Sequence, residues 1–294
     1  MKTFQRLLLR ITLLLALTAG PASAAGSLEG RVLGAGAPIA NSTVTLWAAG
    51  VGVPRQLAQT QTSGDGQFQM TLQLPTGDDP VLYLVARGGQ PASSKVSGDN
   101  KAIVLMAVLG SRPPAKVVLN ELTTVSSVWT GAQFLNGTAL SGKALGLRIA
   151  AGSVRNLVDL ETGGLGPVIQ DPLNSSQTAT LATFNTLANL LSGCITRDYG
   201  DACNELFAVA SPPGSVAPTE TLTAVQNIAR NPSHQAQKLF ALLDAFYPLP
   251  PGERWRAVPF IPYLSFAPSA WTLSLVYAGG GLNSLGGIAI DGEG

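Results

Sequence analysis

Chemistry near neutral pH needs titratable, nucleophilic or metal-ligating side chains, and this sequence supplies few that are grouped. His234 is the only imidazole in 294 residues, so any Ser-His-Asp or Cys-His scheme must run through it. It sits in Asn231-Pro232-Ser233-His234, where a helix start is expected, and no G-x-S-x-G elbow supplies a nucleophile. One His and two Cys fall short of the three or four ligands of a His/Cys zinc cage. Asp198, Asp201 and Glu205 cluster around the Cys194–Cys203 interval, and Asp78-Asp79 forms a turn. Paired acids can hydrolyse glycosides at the right separation, or bind Ca²⁺ together with carbonyl oxygens. Solvated loop acids are the ordinary alternative, and EF-hand spacing is absent. Gly137-Thr138-Ala139-Leu140-Ser141-Gly142-Lys143-Ala144 approaches a phosphate-binding loop. It fails because Ala144 replaces the Mg²⁺-holding hydroxyl and because the stretch follows a helix pattern rather than a strand. The sequence therefore designates no catalytic, cofactor-binding or metal-ligating residue, implies no cofactor, and reads as non-enzymatic rather than enzymatic.

The elements that would position any such groups follow from composition and pattern. The length predicts about two domains. Only 12% of residues are charged, against about 25% in typical globular domains, while 33 Gly and 20 Pro imply many turns. A balance of 18 Lys+Arg to 17 Asp+Glu excludes nucleic-acid binding through a basic patch. Lys2, Arg6 and Arg10 precede the apolar run Ile11–Leu17, and Ala22-Ser23-Ala24 offers a small-x-small cleavage site. This is the pattern of a cleavable signal peptide, residues 1–24, cut after Ala24. The expectation is a secreted or periplasmic protein with no transmembrane helix after cleavage. Loss of three basic residues and no acid moves the formal charge from +1 to −2. An oxidising compartment favours a disulfide between Cys194 and Cys203, and a reactive thiol would need an electropositive partner such as His, which stands near neither Cys in sequence. Closing so short a loop stabilises the fold by roughly 2.5–3 kcal/mol in the chain-entropy account.

Between Ser27 and Leu109 the chain reads as short strands and turns: Ser27–Val32, Ser42–Trp47, Gln67–Leu72, Val81–Ala86 and Ala102–Ala107, the last two apolar enough for central strands. Six to seven such strands predict a small β-sandwich of transthyretin or immunoglobulin-like type. Leu28-Glu29-Gly30-Arg31-Val32, then Pro38–Leu46, then Thr62-Ser63-Gly64-Asp65-Gly66-Gln67-Phe68 resembles a carboxypeptidase regulatory-like, transthyretin-like domain over residues 26–110. The family carries G-x-V, a small-residue turn, a V-T-L strand and T-x-x-x-G-x-F. The resemblance implies a mostly non-catalytic module of exported proteins and contributes no active-site residue.

Residues 118–247 predict an α-helical bundle of five or six helices. Leu122, Val125, Val128, Trp129 and Ala132 recur at helical steps behind a capping Asn120. Further helices are expected over Gly142–Leu160, Ser176–Leu191 and Ala202–Ala210, one opened by Pro218 and one capped by Ser233. Residues 248–270 form a Pro-rich extended connector, and Phe260, Tyr263, Leu264 and Phe266 suit packing along a surface. Trp271–Tyr277 comes next as an expected strand.

The ending Gly287-Ile288-Ala289-Ile290-Asp291-Gly292-Glu293-Gly294 resembles the opening of an NHL-type β-propeller repeat, over about residues 275–294. Leu285 stands where that family usually has Pro. A propeller closes with at least four blades, so residues 271–294 are expected to be the truncated beginning of one, and the chain a fragment of a longer protein. The whole then reads as a multidomain α and β protein: sandwich, helical bundle, partial propeller strand. The expected role is an exported, non-catalytic binding or scaffold module whose partner is a protein or carbohydrate at the cell surface or in the periplasm. An alternative is the accessory part of a propeller enzyme resembling virginiamycin B lyase, with the active site outside this chain. A third is a carbohydrate-binding or hydrolytic fragment using Asp198, Asp201 and Glu205.

Overall fold

The computed structural model describes residues 26–72 and 80–277. The expected signal peptide, the Asp78-Asp79 turn and the NHL-like motif lie outside the described residues. The chain has mixed α and β content built on antiparallel sheets. One sheet runs β4(Arg55–Gln61)–β3(Thr43–Ala49)–β6(Val81–Arg87)–β8(Val104–Gly110), antiparallel throughout. The other is organised on β1(Gly26–Gly34), which pairs β5(Gln67–Leu72) and, at its end, the hairpin strand β2(Ala37–Ala40). Its remaining members are β7(Gln90–Pro91), beside β2, and β9(Lys116–Leu119), which lies parallel to β1. Alternation explains β5, where Phe68, Met70 and Leu72 are buried and the residues between them exposed.

Among the described residues six helices of two or more turns come after the sheets: α1(Glu121–Gly131), α2(Ala144–Leu157), α5(Thr180–Thr196), α6(Ala202–Val209), α7(Thr221–Arg230) and α8(Ala236–Phe246). The short hairpin β10(Leu135–Asn136)–β11(Ala139–Leu140) and the single turns α3(Pro167–Gln170) and α4(Pro172–Ser175) lie between them. Asn120 caps α1 as expected, accepting from Thr123 N while the Thr123 hydroxyl answers to the Asn120 amide. Two other helix starts differ. Helix α7 begins at Thr221 behind Glu220, which caps it by accepting from the amides of Leu222 and Thr223, so Pro218 precedes the helix rather than opening its first turn. Helix α8 begins at Ala236 behind Gln235 in left-handed conformation, so Ser233 falls in the preceding turn. Helix α5 starts four residues later than expected and runs on to Thr196, so Cys194 belongs to it. The Cys194–Cys203 disulfide is formed and joins α5 to α6.

β6 is an inner strand, as its apolar run implied. β8 is buried too, but among the described residues it is the last strand of its sheet. Helices cover its open edge and meet its backbone with hydroxyls. Val104 N donates to Thr221 Oγ1 at 2.9 Å, Met106 N to Thr124 Oγ1 at 3.1 Å and Val108 N to Ser127 Oγ at 2.9 Å. Thr221 also donates back to Val104 O at 2.7 Å. Sheets and helices consequently share one contiguous apolar core.

Each hydroxyl occupies the place of a missing neighbouring strand, and its removal leaves a buried N–H unpaired at about 1–3 kcal/mol. Ser127→Ala and Thr221→Val are expected to destabilise the fold by that amount in urea unfolding. Ser153→Ala, whose exposed hydroxyl bonds only its own helix at Ile149 O, should stay within about 0.5 kcal/mol. Equal losses at all three positions would contradict this account of the edge.

Candidate functional site

The residues with chemical potential are not brought together. His234 is half-buried and donates through Nε2 to Ser211 O at 2.9 Å, with the Gln235 side chain beside it. Asp198 is exposed and lies 4.0 Å from Lys95 Nζ, Asp201 is exposed at the start of α6, and Glu205 accepts from Tyr199 Oη at 3.2 Å. Among the described residues no group of three or more His, Cys, Asp or Glu could hold a metal ion.

The organised polar chemistry lies instead along α5. This helix is buried on nearly every side, yet it carries Thr183, Asn185, Thr186, Asn189 and Ser192. Such groups are costly to bury unless hydrogen-bonded. Asn185, Thr186 and Asn189 find their partners in main-chain groups of the Pro-rich connector, which lies along the helix in the opposite direction. Asn189 holds Phe260 at both ends, donating to its carbonyl at 2.9 Å and accepting from its amide at 3.0 Å. Asn185, one turn away, donates to Pro262 O at 2.9 Å, and Thr186 Oγ1 accepts from Leu264 N at 2.9 Å.

The grip continues over Trp271–Tyr277. That stretch keeps the every-other-residue burial of a strand, but among the described residues it pairs with no other strand. Helices hold its backbone. Trp271 N donates to Pro232 O, and the Trp129 indole donates to Trp271 O at 3.3 Å. Thr180 Oγ1 donates to Ser274 O at 2.7 Å. Asn174 repeats the two-ended hold on Val276, accepting its amide at 2.7 Å and donating to its carbonyl at 2.9 Å. Two side chains of the connector and its continuation, Leu264 and Trp271, are buried among the helices. Sequence reasoning placed the connector on a surface. It did not identify the Asn and Thr residues that hold it, although Asn185 and Asn189 stand four apart inside a helix rich in apolar residues.

At the far end of the same polar stripe Ser192 donates to Glu121 Oε1 at 2.7 Å. That oxygen also accepts the Ala35 amide at 2.7 Å, from the β1–β2 turn where Ala35 holds a positive φ of 51°. Glu121 is fully buried, and among the described residues its Oε2 has no partner. Burial pushes its carboxyl above the ordinary value of 4.5, opposed by the bonds from Ser192 and Ala35. Burial likewise raises the nearby Tyr247 phenol, with the Glu121 charge adding to the effect. Through these bonds Glu121 ties α1, α5 and the β1–β2 turn together. A cleft of about 690 Å³ lies on the β1–β5–β9 side and is lined by scattered charges including Glu29, Arg31, Lys116 and Glu161.

No protein-family model matches the chain, and no curated protein matches it. Among solved structures, a 9R-lipoxygenase from Cyanothece PCC8801 is similar at 19% identity with a TM-score of 0.24, over 34% of this chain and 16% of that one. A likeness that slight carries no argument about fold or activity.

Two outcomes are expected. Asn189→Ala leaves both polar groups of Phe260 unpaired and should cost about 2–3 kcal/mol. Limited proteolysis should then cut near Phe260 before it cuts the sheets. For Glu121, a carboxyl whose folded pKa is raised lends its stability below the unfolded value and loses it as pH rises through the folded value. Glu121→Gln removes that titration. Urea unfolding from pH 4.5 upward should therefore show the difference between variant and unchanged chain moving in favour of Gln. A shift toward Glu121 would mean that the carboxylate is stabilised as an ion.

Proposed function

We propose that this chain is an exported, non-catalytic binding or scaffold module that carries the base of an NHL-type propeller. The observation carrying this reading is the use of the buried polar groups of α5. They hold the segment that leads to the NHL-like motif, rather than converging on a space where a substrate would sit. Support for a carboxypeptidase regulatory-like β-sandwich over residues 26–110 comes from the motif residues Gly30 and Phe68. They face each other across β1 and β5, and a Cβ on Gly30 would collide with the Phe68 ring. That close approach gives the motif's Gly and Phe a common steric reason.

Export is supported by the leader pattern and by the internal disulfide. Among the described residues no helix is long and apolar enough to cross a membrane. The second reading, an accessory part of a propeller enzyme resembling virginiamycin B lyase, assigns the same role to residues 26–277 and differs only in what the propeller does. The hydrolytic reading of Asp198, Asp201 and Glu205 is the least favoured, because Asp198 and Asp201 stand exposed while Glu205 is engaged with Tyr199.

Expressed with its own leader, the protein should be recovered outside the cytoplasm with Ala25 as its first residue, read by intact mass. The purified chain should turn over neither ester nor glycoside substrates. Turnover abolished by Asp201→Asn or by His234→Gln would overturn the non-catalytic reading, and recovery of an uncleaved cytoplasmic chain would overturn export.

A further inference from the structure

We infer that the α4–α5 face is a receptor for extended polypeptide, and that residues 258–277 occupy it as an internal ligand which a second copy of this chain can supply. Three observations carry this, and none depends on export or on the residues beyond 277.

The first is the character of the contacts. Asn174, Thr180, Asn185, Thr186, Asn189 and Trp129 all bond the main chain of the segment, and Asn174 and Asn189 each hold the amide and the carbonyl of one residue. Side-chain amides that read both backbone groups of a residue recognise extended chain as such, as a neighbouring strand would. The second is a division between reading and anchoring. Leu264 and Trp271 are buried in the body, while Ile261 and Phe266 of the same segment are 70% and 76% exposed. Backbone bonds with a few buried anchors are how an extended peptide is held in a groove.

The third is the tether. Residues 248–255 are exposed throughout, with an internal turn bond from Glu253 N to Pro250 O. Its junction with the segment is tied to α8 through Arg256, which bonds Asp244 and the Tyr247 carbonyl. The tether thus raises the local concentration of its ligand without forming part of the binding surface. A segment held in this way fits the identical groove of another copy by the same contacts, which is the basis of segment exchange.

The test uses the full chain with a site-specific protease sequence inserted in the exposed Pro251–Glu253 turn. One cut preparation carries a fluorophore on the C-terminal fragment, and a second carries an affinity tag on the body. After cutting, the pieces should co-elute with an unchanged near-ultraviolet dichroism spectrum. On mixing, fluorescence should transfer to the tagged bodies, and a synthetic peptide of residues 258–277 should compete. The same peptide N-methylated at Leu264 and Val276 should compete at least about tenfold less well, because each methyl removes an amide that Thr186 or Asn174 accepts. This arm leaves the protein unaltered, so a folding defect cannot imitate it. Unfolding of the cut chain, absence of transfer, or equal competition by the methylated peptide would each overturn the inference.

Discussion

The structure depends on how one strand edge is closed. A terminal strand presents every second N–H and C=O outward, and left bare it recruits other chains. At β8 that row is met by hydroxyls from two helices, at Thr221, Thr124 and Ser127. A hydroxyl suits this place because it both accepts and donates, as Thr221 does toward the amide and carbonyl of Val104. Geometry limits how far one helix can serve. Two strand residues advance about 6.7 Å and three helical residues about 4.5 Å, so the two spacings drift apart. Helix α1 accordingly meets Met106 and Val108, and the third amide is met by α7. That requirement fixes both helices against the sheet and gives the molecule its single contiguous core.

Legibility from sequence obeys the same physics. Strands whose apolar side chains mark one face or fill both, β1, β3, β5 and β6, were readable from period and turn residues. So was the Asn120 cap, because a side-chain oxygen before an apolar helical run has a local function. β8 was readable as buried but not as an edge. A run such as Val104–Leu109 records that its side chains avoid water, and says nothing of whether its amides face a strand or a helix. In α1, Leu122, Val125 and Val128 defined the expected core stripe. Thr124 and Ser127 fall outside that stripe, yet both are fully buried. Hydropathy distinguishes apolar from polar, not solvated from paired. β4 and β9 escaped for the converse reason, being a polar strand and a short one.

Helix α5 obeys the same requirement. It is enclosed on nearly all sides, so each of its polar groups needs a protein partner. Asn185, Thr186 and Asn189 take the connector, and Ser192 takes Glu121. Its last carbonyls, of Cys194 and Ile195, accept the Asn100 side chain at 2.9 and 3.2 Å. Beyond its end Arg197 adopts a left-handed conformation and donates to the carbonyls of Val96, Gly98 and Asp99. The disulfide closes the loop containing Arg197 and ties α6 to this helix end, while the guanidinium fastens the segment before β8 to it. A buried helix of this composition would be unstable alone and is stable here because other segments' backbones complete it.

Proline explains why the connector can be held by helices rather than by a sheet. Extended chain outside a sheet has two backbone groups per residue to satisfy, and proline removes one of them along with the helical alternative. Pro262 has only its carbonyl to place, and Asn185 takes it. Where prolines end, at Trp271–Tyr277, demand for partners rises and the chain regains the alternating burial of a strand. The helices and the turn between α7 and α8 meet that demand with the Pro232 carbonyl, the Trp129 indole, Thr180 and both ends of Asn174. Residues that read as the first strand of a new domain are thereby bound into the old one, and the two-ended asparagine contact is the device that lets a helix take the place of a strand.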